Sequence, residues 1–236
     1  MLNLLLKWCR LNMSRIIYLS HLLDSQTPSY GNRNSISLEK KRSIDCGDHA
    51  NDSFLHMSVH QGTHIDMPIH FYRNGQSIED YPATFWIFNY PLIIEVKPIG
   101  QILYQEIIDA LNGLAESERK ICDLLMVKTE IGSARHLEKF WSENPGFSPD
   151  LYAYFRSELP SLKVFGFDSI SLTGFQYRDI GRLAHQQFLN PKAPILLLED
   201  MKLNEISSET KLNKVVIAPL RLTKCDGLPC TIMGWL

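Results

Sequence analysis

The chain has 236 residues, 44% of them hydrophobic and 21% charged, with 24 basic against 26 acidic side chains. That length and composition suit a single α/β domain with a sizeable core and exclude a disordered chain. The near balance of charge excludes a polyanion-binding surface, so nucleic acid is not expected as a partner.

The chain opens on MLNLLLKWCRLNM, a short apolar run with its positive charges behind it and no small-residue cleavage site. Residues 1–12 are expected to be a frayed extension, with Met13 a second candidate start ahead of a domain spanning 13–236. Densely apolar or alternating runs bounded by turn formers then predict strands at Ile16–Leu22, Phe54–His60, Pro91–Lys97, Asp123–Lys128, Lys163–Asp168, Ile195–Glu199 and Val215–Leu222. Residues Thr27–Asp52 are polar and aperiodic, which predicts a long loop or an irregular hairpin. Helical spacing predicts helices over Tyr104–Asn112, over about Pro149–Glu158 with Ser148 as cap, and over Tyr177–Leu189, stopped by Asn190-Pro191. Strands outnumber helices and βα units mix with strand pairs, so the expectation is a mixed α/β fold, one sheet flanked by helices.

No apolar stretch approaches the roughly 20 residues that span a bilayer, so no membrane association is expected. The five cysteines, at positions 9, 46, 122, 225 and 230, form no CxxC pair, and their odd number fits a reduced, cytoplasmic compartment.

The chemistry concentrates in VHQGTHIDMPIHF, Val59 to Phe71. His60, His64, Asp66 and His70 share even parity, so an extended segment projects all four to one side. A helix instead turns Asp66 about 200° away from His64 and leaves Pro68 without a donor. Fully extended, His60 and His70 stand roughly 33 Å apart, so the segment has to bend, most easily at Gly62 and Pro68. Taken singly, each histidine is more often a surface or core residue. As a set with an aspartate they are the ligands that suit zinc and related ions, and Thr63 is placed to hydrogen-bond a ligand. GxSxG, HExxH, P-loop and GxGxxG motifs are missing from the sequence, which argues against covalent catalysis and nucleotide chemistry.

HQGTHIDMPIHF matches the HxGTHxDxPxH signature of the metal-dependent cyclase and kynurenine formamidase-like family, which includes arylformamidases and isatin hydrolase. GFDSISLTGFQYRDIGRLAHQQFLNPKAPILLLEDM, Gly166–Met201, resembles a later block of that family, and APLRLTKCDGLPCTIMGWL resembles its terminal strand pair around a turn at Asp226–Pro229. The resemblance covers about Arg15 to Leu236. It implies a compact, swivelling β/β/α domain that forms a homodimer or tetramer and holds two divalent metals, zinc or manganese. By position, His60, His64 and Asp66 bind one metal, Asp66, His185 and Glu199 bind a second, and His70 is the acid/base. Asp168 is expected to support a loop. Two departures, Glu130 where a glycine is expected and Cys230 after Pro229, are expected in or beside the substrate pocket, and Phe71, Tyr72, Phe85 and Trp86 are candidates for its wall.

The activity expected is metal-dependent hydrolysis of a C–N bond (amide, formamide, lactam) or a C–O bond (lactone) in a small substrate, aromatic ones among the candidates. A cyclase or lyase that stabilises an enolate is the alternative, followed by a non-catalytic metal-binding scaffold.

Overall fold

The computed structural model describes residues 15–236. The expected extension over residues 1–12 therefore lies outside the described residues.

The core of the fold is set by three apolar runs that do not alternate. Leu124–Lys128 (β8), Val164–Phe167 (β10) and Leu196–Glu199 (β11) are buried along almost their whole length. Strands with both sides covered belong in a parallel sheet between layers, and β10 pairs in parallel with both β8 and β11. Pro91–Glu95 (β6) extends the parallel set beyond β8. Helices Gln105–Asn112 (α1), Leu151–Glu158 (α4) and Arg178–Phe188 (α5) cover it, burying Ile107 and Leu111, Leu151 and Phe155, and Ala184 and Phe188 in one continuous apolar cluster. Two short helices, Glu116–Ile121 (α2) and Lys139–Ser142 (α3), complete the helical set among the described residues.

On the other side of β11 the sheet turns antiparallel. His64–Asp66 (β4) lies between β11 and Gly227–Trp235 (β13). The first three residues of β13 pair with β4, and the rest pair with Lys214–Pro219 (β12), with Ile16–Tyr18 (β1) on the other edge. Ile87–Phe88 (β5) closes the far edge beside β12. The expected mixed α/β architecture is what the chain adopts, and β4 joins its parallel and antiparallel parts.

Several expected elements are corrected. The strand placed at Phe54–His60 is Asp52–His56 (β3), and His60 lies in the following turn. β3 pairs with Ser37–Arg42 (β2) in a hairpin whose residues are all exposed, so it has no buried face for a sequence pattern to report. The strands expected to reach Leu22 and Leu222 end at Tyr18 and Pro219. The resembled turn at Asp226–Pro229 sits earlier, because Gly227 already begins β13. Ser148 is not the cap of α4: Asp150 holds the N-cap position without a side-chain hydrogen bond, and Ser148 Oγ accepts from Asp150 N–H at 3.2 Å in the turn before the helix. A small pair, Ile102–Leu103 (β7) with Gly146–Phe147 (β9), has no counterpart among the expected strands. Cys46, Cys122, Cys225 and Cys230 are free thiols.

Candidate metal centre

The bend required of the opening motif occurs where its small residues allow it. Gly62 has φ 70°, a backbone conformation that favours glycine, and a Cβ there would lie 2.2 Å from the Leu23 side chain, which would have to move. β4 then carries His64 and Asp66 to one side, and Pro68–His70 forms a single 3₁₀ turn with proline in its first positions. His70 is thereby folded back over His60, with ring centroids 4.2 Å apart. Glu199, the last residue of β11, is the register partner of His64. α5 supplies His185 from its buried face. All six expected side chains meet in one cluster.

Its centre is buried and short of donors. Asp66, His64, His185 and Glu199 are all buried. His64 Nδ1–H donates to the Gly62 carbonyl and His185 Nδ1–H to the Gly181 carbonyl, each at 2.8 Å, which turns both Nε2 atoms inward. His64 Nε2 stands 3.5 Å from Asp66 Oδ1 and 3.5 Å from Glu199 Oε2. His185 Nε2 stands 3.4 Å from Asp66 Oδ2 and 3.6 Å from Glu199 Oε1. Most of these separations are long for hydrogen bonds. They match the roughly 3.4 Å between two ligand atoms that each sit about 2.1 Å from one tetrahedral ion. His64 Nε2 is buried and has no hydrogen-bond partner among the described residues. Such an orphan calls for an ion or a water. Two groups that share Asp66, His60 with His64 and Asp66 and His185 with Asp66 and Glu199, each bring their ligand atoms within 4.8 Å of one another; both are donor sets for zinc or a similar divalent ion, so the residues fit the implied metal.

Charges in the metal-free protein follow from this packing. Burial opposes a charge on Asp66, yet His185, His60 and His64 around it, His60 through a direct hydrogen bond, hold its carboxyl well below the usual range. Burial likewise opposes protonated His185 and His60, but neighbouring carboxylates prevail and raise them to about 10 and about 9. His70 goes the other way. Burial lowers its pKa, with His60 and His185 adding to the effect and Asp66 opposing it. It is therefore a neutral base at neutral pH.

The cluster opens into a cleft of about 350 Å³ that Phe71, Tyr30, Arg33 and Ile170 help to line. Phe71 stacks on His185 at 4.9 Å. The other aromatic candidates lie elsewhere: Phe85 and Trp86 pack with Tyr81 and Phe88, and Tyr72 donates its hydroxyl to the Gln186 carbonyl. Thr63 does not reach a ligand. Its hydroxyl donates to the Asp200 carbonyl at 2.5 Å and accepts from His21 N–H, tying the motif to the end of β11. Asp168 accepts from Thr129 N–H and hydroxyl at 2.8 and 2.7 Å, a loop role as expected.

Both departures from the signature lie outside the cleft. Glu130 borders a separate pocket of about 300 Å³ with His21 and Lys128, and its φ of 65° explains why glycine is expected there. Cys230 borders another pocket with Leu23 and Pro219. Sequence reasoning missed Asp226, treated only as part of a turn. Its Oδ2 accepts from His60 Nε2–H at 2.9 Å and from His70 Nδ1–H at 3.1 Å.

The Cyclase family model, described as "Putative cyclase", matches residues 17–173. The chain belongs to this family. The matched span contains the motif and ends before His185, Glu199 and Asp226, so the structure is what links the two halves of the centre. Among curated relatives of the family, a kynurenine formamidase of Bacillus cereus is 30% identical over 196 residues, covering 83% of this chain and 82% of its own length. Cyclase-like protein 2 of Oryza sativa subsp. japonica is 25% identical over 221 residues, covering 91% and 77%. The fold is shared with isatin hydrolase A from Labrenzia aggregata, solved with benzyl benzoate, at TM-score 0.79 and 20% identity over 100% of this chain and 98% of that one.

Proposed function

We propose that the chain is a metal-dependent hydrolase that opens a C–N or C–O bond of a small carbonyl compound, such as an N-formyl arylamine, a lactam or a lactone. The observation that carries this reading is the orphaned His64 Nε2, buried between two carboxylates beside an open cleft and a neutral histidine. Kynurenine formamidase and isatin hydrolase as names of relatives support the same class.

His60, His64 and Asp66 would hold one divalent ion and Asp66, His185 and Glu199 a second, zinc or manganese. Divalent ions there supply Lewis acidity toward a carbonyl and depress the pKa of water toward about 7. The protein's own part is proton handling and shape. With its Nδ1–H given to Asp226, neutral His70 keeps its lone pair on Nε2, which can take a proton from water and return it to the leaving nitrogen or oxygen. Phe71, held flat on His185, narrows the cleft for a planar substrate, and Arg33 offers a cation at its rim.

Metal analysis of the purified protein, joined to a hydrolysis screen of formanilides, isatin-like lactams and small lactones, tests the reading. Metal should be present and lost in His64→Ala and Asp66→Ala. Protein with no metal refutes the centre. Metal without acyl turnover, with His70→Ala still abolishing another activity, points to a cyclase or lyase.

The homo-oligomer belongs to the same reading. The exposed hairpin carries Leu38 opposite Leu55, with Phe54 on its other face, and a lone two-stranded hairpin is marginal in water. Light scattering that finds a strict monomer would remove this element.

A further inference from the structure

The three ring ligands of the proposed centre are not anchored alike. His64 and His185 each lean on a backbone carbonyl of their own turn, from Gly62 and Gly181. His60 has its Nδ1 on Asp66 Oδ1 at 2.8 Å, and its outer nitrogen is held by a side chain, Asp226 Oδ2 at 2.9 Å. That same oxygen takes Nδ1–H of His70 at 3.1 Å. The next residue adds an independent constraint: a Cβ on Gly227 would lie 2.5 to 2.7 Å from Cε1, Nδ1 and Nε2 of His60, so the imidazole rests directly on bare backbone. Both residues are fixed to the strand that carries the motif, because Met67 N–H donates to the Asp226 carbonyl at 3.0 Å and Gly227 is the register partner of Asp66.

We propose that Asp226 and Gly227 form a positioning seat shared by His60 and His70. Gly227 is the floor on which the His60 ring lies. The Asp226 carboxylate aligns that ring so that Nδ1 faces Asp66, and it selects the tautomer of His70 that leaves Nε2 basic. A carboxylate oxygen has lone pairs for two N–H donors, and an anionic outer partner makes a ligand imidazole a stronger donor. One side chain thereby couples a metal ligand to the proton carrier, across 166 residues of sequence from one and 156 from the other. The inference rests on the hydrolase reading, in which His60 binds metal and His70 moves the proton.

The test uses the full chain and Co²⁺ alone, with affinity from chelator competition and the ligand field from the visible spectrum. It adds nitrogen-15 NMR of the zinc-loaded protein to read the His70 tautomer. Asp226→Ala is expected to weaken Co²⁺ binding by about 10- to 100-fold, the effect typical of losing an outer partner, and to convert His70 from the Nδ1–H form to a tautomer mixture. Asp226→Asn, whose amide oxygen still accepts a hydrogen bond, should recover part of both. Gly227→Ala should shift the Co²⁺ spectrum and weaken binding with Asp226 intact. Melting of the metal-free variants separates these effects from misfolding. Co²⁺ affinity within threefold of wild type in Asp226→Ala and Gly227→Ala, with the His70 tautomer unchanged in Asp226→Ala, would overturn the seat. So would a further, inhibitory metal, beyond the two of the proposed centre, that vanishes with Asp226, since the carboxylate would then be a ligand. If the wild type binds no Co²⁺, the metal reading itself fails, and the seat with it.

Discussion

Glu199 and Asp200 are consecutive, buried and acidic, yet the fold answers their charges in opposite ways. Asp200, at φ 52°, turns to Arg135 and receives a two-pronged guanidinium contact, Nε at 2.8 Å and Nη2 at 2.7 Å. Glu199 receives Leu172 N–H at 2.7 Å on one oxygen, and its other oxygen faces His64 Nε2 at 3.5 Å. A guanidinium keeps its charge at every working pH, so Asp200 faces a permanent cation. Imidazoles can release their protons, so Glu199 and Asp66 sit in a pocket whose positive charge is exchangeable. Burial of a carboxylate alone does not mark a site; the kind of partner does.

The largest effect expected from breaking this contrast is on Asp200. Asp200→Asn strands Arg135 and should destabilise the fold by about 3–5 kcal/mol, the usual consequence of removing one member of a buried pair. Calorimetry should show the melting temperature falling by roughly 10 °C, with metal content retained in the folded fraction. Glu199→Gln, next door, should do the reverse. The metal-free protein should melt near wild type, while metal affinity by chelator competition falls by more than the ~100-fold that losing an outer partner costs.

A third test uses pH. His60 and His185 are raised to about 9 and about 10 from 6.5, so in metal-stripped protein their stabilisation is complete below pH 6.5 and lost as pH rises through those values. The melting temperature of the stripped protein should therefore decline between pH 7 and 10. The increment added by metal should grow over the same window, because binding must expel those protons. An increment that shrinks with pH would contradict the exchangeable-charge picture. The smallest effect is expected at Glu130, whose left-handed backbone costs a non-glycine residue about 1–2 kcal/mol. Glu130→Gly regains part of that against the greater freedom of the unfolded chain. The net should be up to about 1 kcal/mol of stability, a rise of roughly 2–4 °C by thermal melt, with catalysis unchanged because the residue borders a different pocket.

What the sequence revealed depended on whether the governing contact was local. β8, β10 and β11 were legible because double-sided burial writes unbroken apolar runs. The motif was legible because parity and a long signature coincide within eleven residues. His185 and Glu199 entered through resemblance alone; nothing in their own helix or strand tells a ligand from a satisfied buried residue. β3 was misplaced because an exposed strand carries no burial pattern, and β4 was hidden because three residues are too few for one. β13 contains a proline and two glycines and reads poorly as a strand, although it is the longest one described. Asp226 was seen only as a turn former, since its partners lie more than 150 residues upstream.

β13 also ties the lifetime of the site to that of the sheet. Its first three residues hold the motif strand, and its last three are clasped between β1 and β12. Fraying that runs inward from the β1 edge therefore reaches the floor beneath His60 without crossing a second element. Local breathing of this edge and disassembly of the donor set become a single event, and anything that clamps the cleft should quiet the far end of the strand as well.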